Sequence, residues 1–500
     1  MSSKAQRLVK GSAFRVTEFF ISAIVGLLMM PFIIHFIGDK MYGLWVLIGT
    51  FMGYYGLFDF GLMQAVQRFV SRAIGVNDDR EMNKIINTIL YLYMIIGVVI
   101  LMVSAVLVFI SPYIIKDAVN LRLFQTILPV LSLSLAIGFP MRVFKGVLIA
   151  HLRYDLNTTT EIVTHILRIT LVFTLLKRYN GLFTLAMITF TTEMLMYAMT
   201  FIFAKKVDKN MVFSRNMIDR AKIKSIFKYS FVTAGANIAL MMRFRVSSFI
   251  IAAFLGLKEV TIYSIALRLT EYFSQAMMSS MGILMPVFSQ YEGKNDYNSI
   301  REKFLFTTKI SCYIAILIGA LILILGRDFI QVWMGEAYVS AYPLLAMLTV
   351  ANIFCLMQTP TGGLLYGISK HKFTFFANTI EGFSNLILSL ILVKKYGLLG
   401  IALGVTIPYS VMNLFIQPIY VCRVIGLKLY LYYFKTLLPA VIKSMVFFIC
   451  FAFTLRSFIK PSYLMLFPAG LAGAVLFIIF SFFYGFNENE RKDLLKGIKR

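Results

Sequence analysis

Residues 85–110 read IINTILYLYMIIGVVILMVSAVLVFI, a run in which no side chain is charged. A helix needs about 20 mostly apolar residues to cross the hydrocarbon core of a bilayer. In hydrocarbon, only a helix or a closed barrel satisfies its own backbone. Comparable windows occur outward from this one near 16–37, 41–64, 123–144, 157–177, 181–204, 228–254, 260–288, 304–325, 342–366, 373–393, 397–422, 433–455 and 462–484, for about fourteen spans. The whole chain agrees: of 500 residues, 59% are hydrophobic and 14% charged, and the mean hydropathy is +0.80. A soluble chain carries about a quarter charged residues. The fold class expected is an all-α membrane protein.

The formal net charge is +26, from 49 Lys and Arg against 23 Asp and Glu. In a soluble protein that balance would point to nucleic acid; here the chain between the cations is too apolar to dissolve, so no nucleic-acid partner is expected. With the N-terminus inside, alternating loops place 32 cations inward, 11 outward and six within spans. That bias is the positive-inside pattern and puts both termini on the cytoplasmic side. Lys4, Arg7, Lys10 and Arg15 precede the first span as in a signal peptide. The apolar run is too long for one, has no small-residue cleavage site and leads straight into another span, so it reads as a retained helix. Cys312, Cys355, Cys422 and Cys450 lie in apolar runs without CxxC spacing, and His35, His151, His165 and His371 form no HExxH. No disulfide framework, metal site or cofactor is expected.

The chain repeats itself. Phe36-Ile37-Gly38-Asp39-Lys40 through Trp45 is answered by Phe254-Leu255-Gly256-Leu257-Lys258 through Tyr263, and Gly146-Val147-Leu148 by Gly363-Leu364-Leu365. A six-helix lobe over 1–204 therefore recurs over 228–423. A basic linker at 205–227 joins the two pseudo-symmetric lobes, two extra spans occupy 424–486, and 487–500 form a cytoplasmic tail. An even number of helices per unit makes the copies parallel.

These motifs carry a resemblance. Ile37-Gly38 with Tyr42-Gly43-Leu44-Trp45, Phe58-Asp59-Phe60-Gly61-Leu62 with Ala65 and Arg68-Phe69-Val70, and Gly146-Val147-Leu148 with Arg153-Tyr154 resemble the polysaccharide-exporter branch of the multidrug/oligosaccharidyl-lipid/polysaccharide exporter superfamily. The resemblance covers nearly the whole chain. It implies a flippase for undecaprenyl-pyrophosphate-linked oligosaccharide units in the bacterial inner membrane, serving O-antigen, capsule or another surface polysaccharide by alternating access. It further implies a monomer whose partners are the lipid-linked oligosaccharide, membrane lipids, and a polymerase with its chain-length machinery.

Twelve ionisable residues fall inside spans: Glu18, Asp59, Glu161, Arg168, Glu193, Arg243, Arg245, Arg268, Glu271, Lys309, Glu381 and Lys443. Each would cost roughly 3 kcal/mol at the centre of a lipid-facing helix, so most must face a polar cavity or one another. Lys309 and Lys443 lie near span ends and can snorkel. Six of the others, Arg268, Glu271, Glu161, Arg168, Glu193 and Glu381, fall on helical stripes: Ser264, Arg268, Glu271, Gln275 and Ser279; Thr158, Glu161, His165 and Arg168; Thr189, Glu193, Tyr197 and Thr200; and Thr374, Asn378, Glu381, Asn385 and Ser389. Four such stripes predict a hydrated cleft. Arg243, Arg245 and Arg268 lie about 16, 14 and 13 Å from the outer ends of their spans, a depth at which three guanidiniums can converge on a phosphate.

The expected cavity residues are therefore Arg243, Arg245, Arg268, Glu271, Gln275, Arg168, Asn378 and Glu381. Glu161, Glu193, Asp59 and Glu18 are the candidates for coupling to Na+ or H+. On this reading an acid-rich first lobe faces a cationic second lobe, the reverse of the cationic first lobe that the resemblance implies for lipid II flippases. A cation-coupled multidrug exporter of the same superfamily is the alternative. A membrane-embedded glycosyltransferase or polymerase is disfavoured: no outer loop exceeds roughly 16 residues, and neither a nucleophile constellation nor a phosphate-cradling glycine loop is present. The protein reads as a transporter and not an enzyme.

Overall fold

The computed structural model describes residues 22–492, except 116, 180, 220–221, 224–245, 282–283, 369, 371 and 457–460. Among the described residues there is no strand, and the protein is an all-α, multi-pass membrane protein. Ten described helices are long and apolar enough to cross a membrane, and α1 (Ser22–Ile37) is a shorter apolar helix. The expected spans at 16–37 and 228–254 lie partly outside the described residues.

The opening stretch lies in α4 (Asp79–Ile114), which starts at Asp78, whose carboxylate accepts the Glu81 backbone N–H at 2.8 Å. Helix α5 (Ala118–Ala150) starts in the same way at Asp117, which accepts from the N–H groups of Val119 and Asn120. The Asn120 bond does most to hold the Asp117 carboxyl below its usual range.

The chain divides into two compact units, residues 1–261 and 262–500. In the first, α5 is the most buried of the candidate spans. Helices α4 and α7 (Leu182–Val207) pack along it, with α2 (Asp39–Tyr54), α3 (Leu62–Gly75) and α6 (Tyr154–Arg178) around them. Between α2 and α3 the chain makes a 3-10 turn over Tyr55–Asp59, then two left-handed residues, Phe60 (φ 45°) and Gly61 (φ 77°). Gly61 takes that conformation freely, whereas Phe60 is strained in it.

Residues 210–219, in the stretch expected to be a linker, lie along the first turns of α4. Asn83 donates to the Asn210 carbonyl and accepts from the Val212 N–H; Asn87 donates to the Val212 carbonyl and accepts from the Ser214 N–H. Four residues of helix rise about 6 Å and two residues of extended chain about 6.6 Å, so two Asn one turn apart read alternate residues of the strap.

In the second unit, α14 (Lys372–Val411) carries the break expected between spans eleven and twelve. Gly397 has φ 55° and ψ −132°, which reverses the chain. The two arms then pack so closely that a Cβ on Gly400 would strike the Leu392 carbonyl and one on Gly404 would strike the Ser389 hydroxyl. Pro360 lies in the first turn of α13 (Thr359–Gly367), where its missing N–H breaks no helical bond.

Candidate functional site

Four positions of α5, Ser134, Gly138, Arg142 and Lys145, follow one another at steps of 4, 4 and 3 and share one face of the helix. Each meets another element of the first unit. Ser134 donates to Glu193 of α7 at 2.5 Å. A Cβ on Gly138 would strike the Tyr197 hydroxyl, so glycine is what lets α7 approach. The Arg142 guanidinium lies 3.1 Å from Asp59 and over the Phe139 ring at 4.2 Å. Lys145 reaches Glu161 of α6 at 2.5 Å. A third ion pair joins α6 to α7: Arg168 is 3.8 Å from Glu193, and its Nε donates to Thr192 at 3.2 Å.

The three pairs differ in setting. The Asp59 carboxylate is nearly enclosed, its side chain 10% exposed, and it also accepts the Tyr93 hydroxyl at 2.6 Å. The partners at Lys145–Glu161 and Arg168–Glu193 are between a quarter and somewhat under half exposed. Counted along their helices from the end where α5 finishes and α6 starts, Lys145 lies about 8 Å in, Arg142 about 12 Å and Arg168 about 21 Å. The strip therefore runs from one end of the bundle towards its middle.

This revises the expected charge map. The expected span at 123–144 stops short of Lys145, and neither it nor Arg142 is among the ionisable residues expected inside spans; α5 continues to Ala150 and carries both into the helical bundle. The first unit is therefore not an uncompensated acidic surface, because Asp59, Glu161 and Glu193 each have a cation. Glu161 pairs with Lys145 of the neighbouring helix instead of Arg168 two turns along its own. The sequence signal for the two missed residues was the 4, 4, 3 spacing back to Ser134.

The other expected residues are placed differently. Glu18, Arg243 and Arg245 lie outside the described residues, so the expected guanidinium cluster does too. Arg268, on α9 (Leu257–Met281), is 3.0 Å from Glu271 on its own helix, and both side chains are well exposed, as is Gln275. Asn378 and Glu381 are buried within the second unit, at 7% and 3% exposure, beside Asn385 and Ser389. Lys309 meets Glu490 at 2.7 Å, and Lys443 donates to the Tyr484 carbonyl.

The fold is that of the MOP superfamily of transporters. The chain superposes on a structure of the lipid II flippase MurJ in an inward closed conformation with a TM-score of 0.72, at 18% identity, covering 97% of this chain and 99% of that one. The family described as "Polysaccharide biosynthesis protein" matches residues 8–292, and the MatE family matches 233–391. The chain belongs to the polysaccharide biosynthesis protein family. Its relatives include the uncharacterized membrane protein EpsK of Bacillus subtilis strain 168, 20% identical over 97% of both chains. A Shigella flexneri protein named for O-antigen transport is 21% identical over 83% of this chain and 97% of that one.

Proposed function

We propose that the protein is a flippase that carries undecaprenyl-pyrophosphate-linked oligosaccharide units across the bacterial inner membrane for a surface polysaccharide, by alternating access. The observation that carries this reading is the strip of Lys145, Arg142 and Arg168 on a partly exposed face of an otherwise apolar bundle. A pyrophosphate needs cations with several N–H donors, and a guanidinium fork meets that need best. The family membership and the Shigella relative's name point to the same cargo class.

The head group would enter where Lys145 stands, at the cytoplasmic end, and meet Arg142 and then Arg168 deeper in. The polyprenyl tail would stay in lipid. Arg243, Arg245 and Arg268 remain the cationic cavity residues proposed for the second lobe. On this reading both termini are cytoplasmic, the protein works as a monomer and not as an enzyme, and a polymerase with its chain-length machinery takes the product. Glu161 or Glu193 would bind a coupling proton or Na+.

The test is complementation of a bacterium lacking its own O-unit flippase, with membrane levels checked. Restored surface polysaccharide is expected, with loss of restoration in Arg142→Ala and Arg168→Ala. Normal restoration by the variant that lacks all three cations would remove the reading. A reporter fused at Lys209 that is active only outside the cell would overturn the topology.

A further inference from the structure

The cations of the strip are not free to receive an anion, because each is already held by a carboxylate of its own unit: Arg142 by Asp59, Lys145 by Glu161 and Arg168 by Glu193. Those three carboxylates come from three different elements, the turn after α2, α6 and α7. We propose that Asp59, Glu161 and Glu193 are resident competitors that set a charge threshold on the cargo, admitting lipid head groups with two negative charges and refusing those with one. The proposal rests on the flippase reading above and adds how the site tells its cargo from the surrounding lipid.

A phospholipid such as phosphatidylglycerol brings one phosphate charge. Exchanging it for a carboxylate that is already positioned and hydrogen-bonded gains nothing, because the loss of one contact cancels the other. A pyrophosphate diester brings two charges on linked phosphates. Arg142 and Lys145 are three residues apart on one helix face, with Cβ atoms about 5–6 Å apart. One pyrophosphate can therefore take both cations at once, whereas the two carboxylates, on separate elements, must each hold one alone. The second contact is intramolecular for the pyrophosphate, and that advantage overcomes the competition. Bulk phospholipid vastly outnumbers the cargo in any membrane, so a flippase with bare cations would be occupied by the wrong lipid. Asp59, the most enclosed and held also by Tyr93, is the firmest of the three; Glu161 and Glu193 are the more readily displaced.

The full-length protein in lipid nanodiscs tests this with defined probes: farnesyl-pyrophosphoryl-N-acetylglucosamine, its single-phosphate counterpart, and phosphatidylglycerol mixed into phosphatidylcholine. The wild type is expected to bind the pyrophosphate probe, to ignore the single-phosphate one, and to keep its affinity as phosphatidylglycerol rises. Glu161→Gln and Glu193→Gln should each bind the pyrophosphate probe about tenfold tighter, the size of one charge-assisted contact. Both should also be inhibited by phosphatidylglycerol and flip the cargo more slowly.

Equal wild-type affinity for the two probes overturns the threshold without any variant. Gln variants that melt like the wild type yet bind no tighter, with phosphatidylglycerol still inert, show that the carboxylates only hold helices together. Failure of the wild type to bind the pyrophosphate probe at all removes the flippase reading itself.

Discussion

Spans five and eleven occupy the same place in the two repeats and carry similar polar stripes, yet the structure uses them differently. On α6, Glu161 and Arg168 are each about a quarter exposed, and each finds its counter-charge on a neighbouring helix. On the first arm of α14, Asn378, Glu381, Asn385 and Ser389 are buried, the Ser389 hydroxyl donates to Asn385 at 2.9 Å, and Gly404 of the second arm closes over it. The first stripe is partly exposed and ion-paired to neighbouring helices, whereas the second lies buried against the other arm of α14. The cause lies one helix away: aligning Gly146 with Gly363 puts Thr359 and Gly362 where the first repeat has Arg142 and Lys145. At those two positions the second repeat carries no cation, and Asn378 and Glu381 of its stripe are buried.

The sharpest way to break this contrast is in the α14 hairpin. Gly400→Leu drives a side chain into the backbone of Leu392, where no rotamer change relieves it. A loss of about 3 kcal/mol or more is expected, the upper range for overpacking, seen as failure to accumulate in the membrane. A Gly400→Leu protein that accumulates and melts normally would show that the buried stripe does not hold the arms together.

Next comes Asp59. Among the described residues, Arg142→Ala leaves a nearly enclosed carboxylate with Tyr93 as its remaining partner. After discounting for the 35% exposure of Arg142, about 2 kcal/mol should be lost. The melting temperature in detergent should fall, and Arg142→Ala with Asp59→Asn should recover most of it. No recovery would mean that the Phe139 contact, not the ion pair, anchors Arg142.

The strap gives a smaller effect. Asn83→Ala removes the side chain that bonds both Asn210 and Val212. Roughly 1–2 kcal/mol should be lost, with faster backbone hydrogen exchange confined to residues 210–214. Unchanged exchange there would show that Asn87 holds the strap alone.

The smallest effect is expected at Arg268. Its pair with Glu271 is well exposed on both sides, so Arg268→Ala should change stability by less than about 1 kcal/mol. A loss of transport in that variant then comes either from cargo contact or from the Glu271 charge left without its partner. Arg268→Ala with Glu271→Ala separates the cases: restored transport would mean that Arg268 serves only to neutralise Glu271, and would leave the first unit as the sole anion site.

The sequence alone determined the membrane class, most of the span positions and the break before Gly397. Those follow from hydropathy along the chain, which is a local property. It also marked Asp59, Glu161, Arg168 and Glu193 as charges that must be sheltered, because an unpaired charge in hydrocarbon is costly wherever its partner lies. It did not tell which partner each would take. Glu161 has His165 and Arg168 on its own helix and chooses Lys145 from another; Asp59 takes Arg142 from a position 83 residues along the chain. Those pairings depend on where α5 ends and on how closely α7 approaches at Gly138, which are settled by helix–helix packing. A stripe's spacing puts charges on one face, but only the neighbouring helices decide whether that face is a site or a seam.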